Sequence, residues 1–294
     1  MEKIWSILDI LTWGRAYFEE KGVDSPRLTM ELLVAHVLKK QRIELYTQFD
    51  RPLAEGELTT LRAMIKRRAA HEPLQYITGE TEFYGLTLAV TPAVLIPRPE
   101  TELLAEYVIK RVRDSTNADE SEIGILDIGT GSGCIALALA KHLPRAAVFG
   151  LDVSDDALRL ARGNAERHAL SNVQFGKINI LEAQPKRRFG VIVANPPYIA
   201  VEEIEELEPE VRAHEPRIAL TDGSDGLRFY RRFSEIFPSM LAEGGWFVVE
   251  MGFGQSTQVE EIFAEVGYQT TIVNDLAGIP RICVGCCRAS SSAP

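Results

Sequence analysis

One segment of this 294-residue sequence indicates chemistry most directly: Asn195-Pro196-Pro197-Tyr198. An amide or aromatic amine nitrogen is a poor nucleophile, because its lone pair is delocalised. The side-chain oxygen of Asn195 and a carbonyl oxygen of the prolyl segment can accept the N–H bonds of such a nitrogen. They would aim its lone pair at an electrophilic methyl group and stabilise the developing positive charge. We therefore predict that this tetrapeptide binds the substrate and forms the catalytic site, with Tyr198 as a flat wall; a structural turn is the alternative.

A second candidate site follows a predicted strand and consists of Gly129, Thr130, Gly131, Ser132 and Gly133. Glycine lets the backbone turn sharply and approach a ligand, and the helix that follows offers free N–H groups. Asp152, at the end of the next predicted strand, can accept both hydroxyls of a ribose. Cys134 stands where a dinucleotide fingerprint would have Gly or Ala, so the pattern predicts a ribose-bearing cofactor and slightly disfavours NAD. Asp152 could instead cap the helix predicted over residues 154–167, although Ser154 and Asp155 are better caps.

The elements that must position these residues alternate between strand and helix from residue 123 onward. Strand-like runs are predicted at Ile123–Ile128, Ala147–Val153, Val173–Ile178, Phe189–Ala194, Gly245–Met251, Tyr268–Asn274 and Ile282–Cys287. Short apolar strands separated by helices are typical of a mostly parallel sheet covered on both faces. The last two strands have no convincing helix between them, which predicts a terminal hairpin. The fold class is therefore α/β and doubly wound, with seven strands whose carboxyl ends bring Asn195 beside the glycine loop.

The chain divides into parts by periodicity and composition. The predicted parts are a helical N-terminal domain over 1–75, a linking β-hairpin over 76–96, the α/β domain over 97–288 and a flexible tail over 289–294. The helical domain would be a small bundle that recognises a partner or supports the other domain. The hairpin turns at Gly85, and the first helix of the α/β domain begins at about Ile96 and ends near Arg113. A polar surface loop is expected over 114–122.

Composition and charge limit the class of protein. The chain has 46% hydrophobic and 25% charged residues, which is typical of a globular protein. It has no apolar run near the ~18 residues that a membrane span needs. Glu2, Lys3 and Asp9 interrupt the apolar core that a signal peptide would have. We therefore predict a soluble, cytoplasmic protein. Residues 79–294 carry 20 Lys and Arg against 31 Asp and Glu, which disfavours indiscriminate nucleic-acid binding. Cys283 and Cys286 have C-x-x-C spacing, but there is no second pair and the five His are scattered, so the cysteines are interpreted as small buried hydrophobes and no metal site is expected.

Further motifs extend over nearly the whole chain. They are Phe83-Tyr84-Gly85-Leu86, Ile96-Pro-Arg-Pro-Glu-Thr-Glu102, Asn195-Pro-Pro-Tyr-Ile199, His214-Glu-Pro216 with Ala219-Leu220, Asp225-Gly-Leu227 and Asp275-Leu-Ala-Gly278. With the glycine loop and Asp152, they make the sequence similar to the HemK-type (PrmC-like) protein-(glutamine-N5) methyltransferases, which modify the Gly-Gly-Gln glutamine of peptide chain release factors. The resemblance implies a Rossmann-like class I methyltransferase domain. It also implies S-adenosyl-L-methionine as cofactor, S-adenosyl-L-homocysteine as product and class 1 release factors as protein substrates.

The resemblance also assigns roles to residues. Gly129 to Gly133 would hold the methionine part of the cofactor, Asp152 its ribose, and Asn195 would lie against both cofactor and substrate. Asn179 and Ile180 would contact the adenine, with Asn179 at a position where an acidic residue is usual. The substrate-binding residues would be Asn195, Pro196, Pro197, Tyr198, Phe83, Pro97, Arg98 and Glu100. The reaction would be direct in-line displacement of the sulfonium methyl by the amide nitrogen, without a covalent enzyme intermediate or a metal, in a chain that functions as a monomer.

Three alternatives differ in substrate or in class. The same tetrapeptide serves N6-adenine methylation of DNA or RNA, which needs basic residues to hold the strand. Lys66-Arg67-Arg68 is the only obvious basic run, and a solvated helix face is the simpler interpretation of it. The substrate could instead be a glutamine of a ribosomal protein. A third alternative is a cofactor-binding adaptor without turnover, but such a protein would not need the Asn-Pro-Pro-Tyr segment. The acidic run Glu202–Glu210 either attracts a basic substrate surface or forms a solvated helix or loop.

Overall fold

The computed structural model describes residues 4–115 and 123–287, so most of the polar loop predicted over 114–122 and the whole tail predicted over 289–294 lie outside the described residues. The helices are α1 (Ile7–Glu20), α2 (Pro26–Leu38), α3 (Arg42–Leu45), α4 (Glu55–Arg68), α5 (Leu74–Thr78), α6 (Glu102–Asp114), α7 (Cys134–His142), α8 (Asp155–Arg167), α9 (Pro209–His214), α10 (Arg217–Leu220), α11 (Arg228–Met240) and α12 (Ser256–Glu265). The strands are β1 (Glu80–Phe83), β2 (Leu86–Ala89), β3 (Gly124–Ile128), β4 (Ala147–Asp152), β5 (Val173–Lys177), β6 (Phe189–Ala194), β7 (Leu241–Glu250), β8 (Tyr268–Asn274) and β9 (Pro280–Cys287).

The described chain forms two compact units. One contains the residues up to Gly79 together with Glu208–His214, and the other contains Glu80–Leu207 and the residues from Glu215 onward. The predicted domain boundary at residue 75 did not anticipate that the short helix α9 belongs with the N-terminal helices. None of the helices within the described ranges is long and apolar enough to cross a membrane.

The first unit is helical, as the sequence predicts. α1 begins after Ser6, whose hydroxyl accepts the N–H of Asp9 at 3.1 Å, while the Asp9 carboxylate accepts the N–H of Ser6 at 3.0 Å. This reciprocal cap satisfies backbone N–H groups that the helix itself leaves unpaired. α1, α2 and α4 bury Phe18, Leu33 and Leu61 in one core. The burial of such side chains, more than helix propensity, stabilises helices of this length.

The basic run Lys66-Arg67-Arg68 is not a free positive surface. The Nε atom of Arg67 donates to Glu72 at 2.7 Å, and Arg68 forms an ion pair with Glu210 in the same unit. Arg68 is only 5% exposed, so the interpretation as a solvated helix face is wrong for this residue. Two of the three positive charges are therefore neutralised by glutamates, and the run offers little to a phosphate backbone.

The second unit is built on a seven-stranded sheet in the order β5-β4-β3-β6-β7-β9-β8. The strands from β5 to β7 in this order run parallel, and β9 pairs antiparallel with β7 and β8. β3 is buried throughout, and its residues alternate between the two faces of the sheet. Ile125 packs in a core with α6 and α7, and Leu126 packs in a second core with α11 and α12. A parallel sheet covered on both faces with a terminal antiparallel pair confirms the predicted fold class.

Several strand bounds differ from the predicted ones, and the structure supplies the strand order, which the sequence left open. β7 begins at Leu241 rather than Gly245. β9 lies between β7 and β8, so the last strand of the chain is not the edge strand. Apolar runs reveal which residues form strands, but the order of the strands depends on which backbones pair, and that is decided only when the chain folds.

The first helix of this unit begins later than the prediction from Ile96. Pro99–Thr101 form a 3₁₀ turn, and α6 follows at Glu102. A residue that precedes a proline is driven out of the helical region, and Arg98 is accordingly extended, with φ −93° and ψ 145°. The segment around Pro97 is therefore an extended strap that leads into the helix.

The β1–β2 hairpin turns at Tyr84 and Gly85, both of which have positive φ, as tight hairpin turns require. Asn164 on α8 joins this hairpin to the glycine loop. Its Oδ1 accepts the N–H of Ala89 at 2.8 Å, and its Nδ2 donates to the carbonyls of Ala89 at 3.1 Å and Ser132 at 2.9 Å. One side chain, only 1% exposed, thus connects the hairpin, α8 and the predicted cofactor loop.

Replacement of Asn164 by Ala should lower the free energy of unfolding by about 1–3 kcal/mol, because backbone groups of Ala89 and Ser132 lose their partner. Urea denaturation followed by circular dichroism measures this change. Arg159→Ala on the same helix breaks only an exposed ion pair with Asp156, and it should change the same quantity by less than about 0.5 kcal/mol. Wild-type stability in the Asn164 variant would show that these bonds do not stabilise the fold.

Candidate active site

A cavity of about 350 Å³ lies at the carboxyl ends of β3, β4 and β6, where open α/β sheets bind ligands. Its size suits a small organic molecule. The predicted site residues that line it are Gly129, Thr130, Gly131, Ser132, Asp152, Asn179, Ile180, Asn195, Pro196, Pro197, Pro97 and Arg98. The predicted site residues outside this lining are Gly133, Tyr198, Phe83 and Glu100. The structure therefore brings together most, but not all, of the residues that the sequence singled out.

The glycine loop crosses the ends of β3 and β4. The N–H groups of Gly129 and Thr130 both donate to the carbonyl of Leu151, at 2.8 and 2.9 Å. Gly129 and Gly131 have φ of 75° and 55°, a region that L side chains rarely adopt. Gly133 begins α7 instead, and a Cβ there would lie 3.2 Å from side chains of α7 and α8. Gly133 also has a φ of 84°, so both its backbone conformation and the packing of α7 against α8 favour glycine.

Asp152 lies at the end of β4 and lines the cavity. Its Oδ2 accepts the N–H of Gly131 and its Oδ1 accepts the N–H of Ser154, both at 2.9 Å. The cap of α8 is Ser154, whose hydroxyl accepts the N–H of Ala157 at 3.2 Å. Asp152 is therefore not the helix cap. Each carboxylate oxygen retains a lone pair, so the group can still accept ribose hydroxyls.

The buried carboxyl group of Asp127 binds the glycine loop through Thr130. Oδ2 of Asp127 accepts the hydroxyl of Thr130 at 2.7 Å and the N–H of Ala136 at 3.3 Å, while Oδ1 has no partner. Burial raises the pKa of Asp127 to about 7, although the hydrogen bond from Thr130 opposes the shift. Ser132 is also buried and its hydroxyl has no partner. An unsatisfied hydroxyl in the cavity wall is the kind of group that a polar ligand would satisfy.

The far wall of the cavity contains Asn179 and Ile180, which follow β5. The Asn179 side-chain oxygen accepts the N–H of Leu181 at 3.2 Å, so this oxygen already stabilises its own turn. Its amide nitrogen is the group that remains to donate a hydrogen bond. Ile180 is 5% exposed and forms an apolar surface together with Phe233 on α11. Such a wall suits a flat aromatic ring with polar edges.

The predicted catalytic segment follows β6 directly. The Nδ2 atom of Asn195 donates to the hydroxyl oxygen of Thr101 at 3.0 Å. This bond uses one of the two N–H donors of the amide, and Oδ1 remains an acceptor. Pro196 and Pro197 continue the wall and lack N–H groups, so this stretch presents carbonyl oxygens only. The arrangement is suited to binding a group that donates hydrogen bonds.

Tyr198 is held behind the wall rather than in it. Its hydroxyl donates to Oε1 of Glu250 at 3.3 Å, and its carbonyl accepts Nε2 of Gln255 at 2.8 Å. Burial raises the pKa of Tyr198 and raises that of Glu250 to about 7. Gly226, with φ 78°, approaches so closely that a Cβ there would lie 2.3 Å from the Tyr198 carbonyl oxygen. Its loop is shaped by Asp222, whose Oδ1 accepts the N–H of Gly226 at 3.2 Å.

The remaining predicted substrate residues have different surroundings. Arg98 lines the cavity and forms an ion pair with Glu215 at 2.5 Å, and Oε2 of Glu215 accepts the N–H of Ile96 at 3.1 Å. This buried carboxylate therefore fixes the extended strap at two points. Phe83 is 1% exposed and belongs to the hydrophobic core, whereas Glu100 is exposed to solvent.

Sequence reasoning missed Thr101, Glu250, Gln255 and Asp222, which contact the catalytic segment or shape the loop beside it. Thr101 lies inside a quoted motif, but nothing in the motif says which member touches Asn195. Glu250 carried the clearest signal, because an acidic residue directly follows the buried apolar run from Trp246 to Val249. Such a carboxyl group is costly to bury and is retained where it has a partner.

The fold and this cavity together define a class of enzyme. The catalytic domain of human Mettl16, solved in complex with the MAT2A 3′UTR hairpin 6, matches with a TM-score of 0.54 at 17% identity. The match covers 83% of this chain and 87% of that one, and at this identity it shows the fold alone. The fold is that of the class I S-adenosylmethionine-dependent methyltransferases, and the chain is a methyltransferase of this class.

Similarity to curated proteins is much higher. Residues 9–79 match the family described as PrmC N-terminal domain, and residues 101–210 match the methyltransferase small domain. The chain is 45% identical to the release factor glutamine methyltransferase of Geobacter sulfurreducens, over 96% of this chain and 97% of that protein. Identity to the protein of the same name from Chlorobaculum tepidum is 40%, over 95% and 97% of the two chains. This chain belongs to the release factor glutamine methyltransferase family.

Gly226→Ala should reduce the rate of methyl transfer by about tenfold or more, because the new Cβ must displace the Tyr198 carbonyl and with it the catalytic segment. Gly223→Ala is the matched control, since its φ of 77° is similar but nothing lies within 4 Å of the Cβ position. Thermal unfolding and initial rates measured on both variants separate backbone strain from the steric clash. Equal effects of the two substitutions would contradict the close approach at Gly226.

Asp127→Asn should remove part of the pH dependence of stability. A carboxyl group whose pKa is about 7 when folded and 3.8 when unfolded binds more protons in the folded state between these values. Its contribution to stability is therefore complete below pH 4 and is lost as the pH rises through 7. Asn keeps the acceptor for Thr130 and places its amide nitrogen where Oδ1 has no partner. The free energy of unfolding, measured by urea at several pH values, should fall less steeply for the variant; identical slopes would contradict the shift.

Proposed function

We propose that this enzyme transfers the methyl group of S-adenosyl-L-methionine to the side-chain amide nitrogen of the glutamine in the Gly-Gly-Gln motif of class 1 peptide chain release factors. The observation that carries the proposal is the amide of Asn195, whose nitrogen is bound to Thr101 at 3.0 Å and whose oxygen remains as an acceptor at the cavity wall. The names of relatives at 40–45% identity over nearly the full length support the same substrate.

The cofactor would occupy the part of the cavity formed by β3, β4 and the residues after β5. The glycine loop and the unpaired Ser132 hydroxyl fit the charged methionine end, and the Asp152 carboxylate fits the ribose hydroxyls. Ile180 and the amide nitrogen of Asn179 fit the face and an edge of the adenine. When bound, S-adenosyl-L-methionine supplies a methyl group made electrophilic by the sulfonium.

The protein's part in the reaction is positioning and charge stabilisation. Oδ1 of Asn195 and the carbonyl of Pro196 would accept the two N–H bonds of the glutamine amide. Both acceptors hold the amide plane so that its nitrogen faces the methyl group, and both favour the positive charge that grows on nitrogen during transfer. Arg98, fixed by Glu215, would bound the substrate side of the cavity.

A covalent intermediate on the enzyme is not required. Cys134 lines the cavity, but burial raises the pKa of its thiol to about 12, so it stays protonated and is a weak nucleophile. Direct transfer to nitrogen is therefore the simpler route: the N–C bond forms as the S–C bond breaks with one inversion of the methyl group, S-adenosyl-L-homocysteine leaves, and the amide nitrogen releases one proton to solvent.

The surface charge supports a protein substrate over a nucleic acid. The α/β unit is acidic, and Glu202, Glu203, Glu205 and Glu206 are exposed on a 3₁₀ helix, as the solvated alternative for this run expects. In the first unit, Arg67 and Arg68 are already paired. We propose that the helical domain, predicted over residues 1–75, contributes to recognition of the release factor. The reaction would then occur in the cytoplasm, where translation takes place, with the enzyme as a monomer.

Asn195→Ala should lower kcat by at least ~100-fold with little change in the Kd for S-adenosyl-L-methionine, because the variant loses an acceptor for the reacting amide. Asn179→Ala is the complementary variant, and it should weaken cofactor binding while kcat at saturating cofactor is retained. Transfer of labelled methyl to an unmodified release factor measures kcat, and calorimetry measures Kd.

A release factor with the Gly-Gly-Gln glutamine replaced by Ala serves as the substrate control, with DNA, tRNA and ribosomal protein as competing acceptors. Label confined to the intact release factor would agree with the proposal. Label on nucleic acid would favour adenine methylation, and label on ribosomal protein would favour the other protein substrate. Loss of cofactor binding in Asn195→Ala would contradict the assignment of this residue to the substrate amide.

A further inference from the structure

One large apolar side chain of the cavity wall is left mostly in contact with solvent. Ile218 on α10 lines the cavity, yet it is 62% exposed. A side chain that belongs to a cavity wall and is also mostly exposed lies at the mouth of that cavity, where a ligand enters. Apolar surface is stabilised when it is removed from water, so Ile218 is available to pack against a substrate.

The segment that carries Ile218 is held at its beginning by Glu215, which precedes α10 and has a side chain only 2% exposed. Oε1 of Glu215 accepts Nη2 of Arg98 at 2.5 Å, and its Oε2 accepts the N–H of Ile96 at 3.1 Å. One buried carboxylate therefore makes a charge-assisted bond and a backbone bond to the extended strap, and it fixes this end of the segment against the strap.

The same segment is also held at its other end. The carbonyl of Leu220 accepts the N–H of Ile199 at 3.0 Å, and Ile199 forms a parallel bridge with Thr221. Ile199 directly follows the catalytic segment, residues 195–198. The segment around Ile218 is thus bonded to the strap at one end and to the continuation of the catalytic segment at the other. Both of these elements belong to the substrate side of the cavity.

The length of a glutamine side chain brings its main chain close to this mouth. Only two methylene groups and the amide carbon separate the Cα of a glutamine from its amide nitrogen. When that nitrogen reaches Asn195, the neighbouring main chain must therefore lie at the rim of the cavity. Ile218 is β-branched, so its χ1 is restricted, and its segment is held at both ends. A glycine beside the glutamine lets the main chain approach such a wall closely.

We propose that Ile218 is a specificity-determining residue, which packs on the substrate main chain beside the reactive glutamine and favours glycine directly before it. This inference rests on the proposed function and deepens it, because the glutamine of a Gly-Gly-Gln motif is preceded by glycine. The release factor loop is thus the partner that covers this exposed isoleucine. A side chain in place of that glycine would overlap with Ile218, and a packed contact accommodates an added methyl group only by displacement.

The first test changes the size of the side chain at residue 218. With the unmodified release factor, Ile218→Ala should raise KM about threefold to tenfold through the lost apolar contact, while kcat and the Kd for S-adenosyl-L-methionine stay within about twofold. Ile218→Val keeps the branch at Cβ and should behave like wild type. Labelled-methyl transfer measures KM and kcat, and calorimetry measures Kd. Because Ile218 is mostly exposed, thermal unfolding should be unchanged in both variants.

The second test uses a release factor in which the glycine directly before the glutamine is replaced by Ala. The wild-type enzyme should methylate this factor with a kcat/KM at least ~10-fold below that for the unmodified factor. Ile218→Ala should recover most of this loss, because it removes the group that the added methyl would meet. Val153→Ala is the matched control: Val153 is β-branched, 37% exposed and part of the cavity wall, but it follows Asp152 on the cofactor side. It should recover none of the loss.

The outcomes separate this inference from the proposed function. If the wild-type enzyme transfers no methyl to the unmodified release factor, the proposed function fails before any variant is compared. If that transfer occurs and Ile218→Ala does not recover the altered factor, or Val153→Ala recovers it equally, the proposed function stands and the specificity role of Ile218 is wrong. Weaker binding of S-adenosyl-L-methionine to Ile218→Ala, with an unchanged KM for the release factor, would assign the residue to the cofactor and would also overturn the inference.

Discussion

The carboxyl edge of the parallel sheet is the constraint on which the rest of this structure depends. Each parallel strand must pair its N–H and C=O groups with both neighbours, so β3, β4 and β6 lie in register. The segments that follow these strands must then leave the sheet at the same edge. Gly129, Asp152 and Asn195 are far apart in the sequence and meet around one cavity for this reason. Backbone hydrogen bonding brings them together, and their side chains determine the chemistry.

Two buried carboxyl groups then organise the two halves of the cavity. Asp127 accepts the Thr130 hydroxyl beneath the glycine loop, and Glu250 accepts the Tyr198 hydroxyl behind the catalytic segment. Burial raises the pKa of both to about 7. A buried carboxyl group is costly to ionise, and each of these two has a hydroxyl partner beside the cavity.

Of the four predicted site residues outside the cavity wall, Glu100 is exposed to solvent, and the other three have structural roles. Phe83 belongs to the hydrophobic core, Gly133 permits close packing of α7 and α8, and Tyr198 binds Glu250 behind the wall. All three belong to motifs, but a motif contains both residues that touch a ligand and residues that hold those in place. Sequence spacing does not separate the two kinds, because both are required for the same geometry.

The sequence by itself determined the elements and the chemistry that they could support. Its apolar periodicity indicated the helical N-terminal part, the seven strands and the terminal antiparallel pair, and its strand ends indicated a glycine loop, a ribose carboxylate and an amide-binding segment. Only the tertiary structure decided that β9 lies inside the sheet, that α9 joins the N-terminal helices, and that Thr101 binds Asn195 while Glu250 binds Tyr198. Periodicity is a local property of the chain, whereas strand order and the partners of a buried side chain depend on contacts between distant residues.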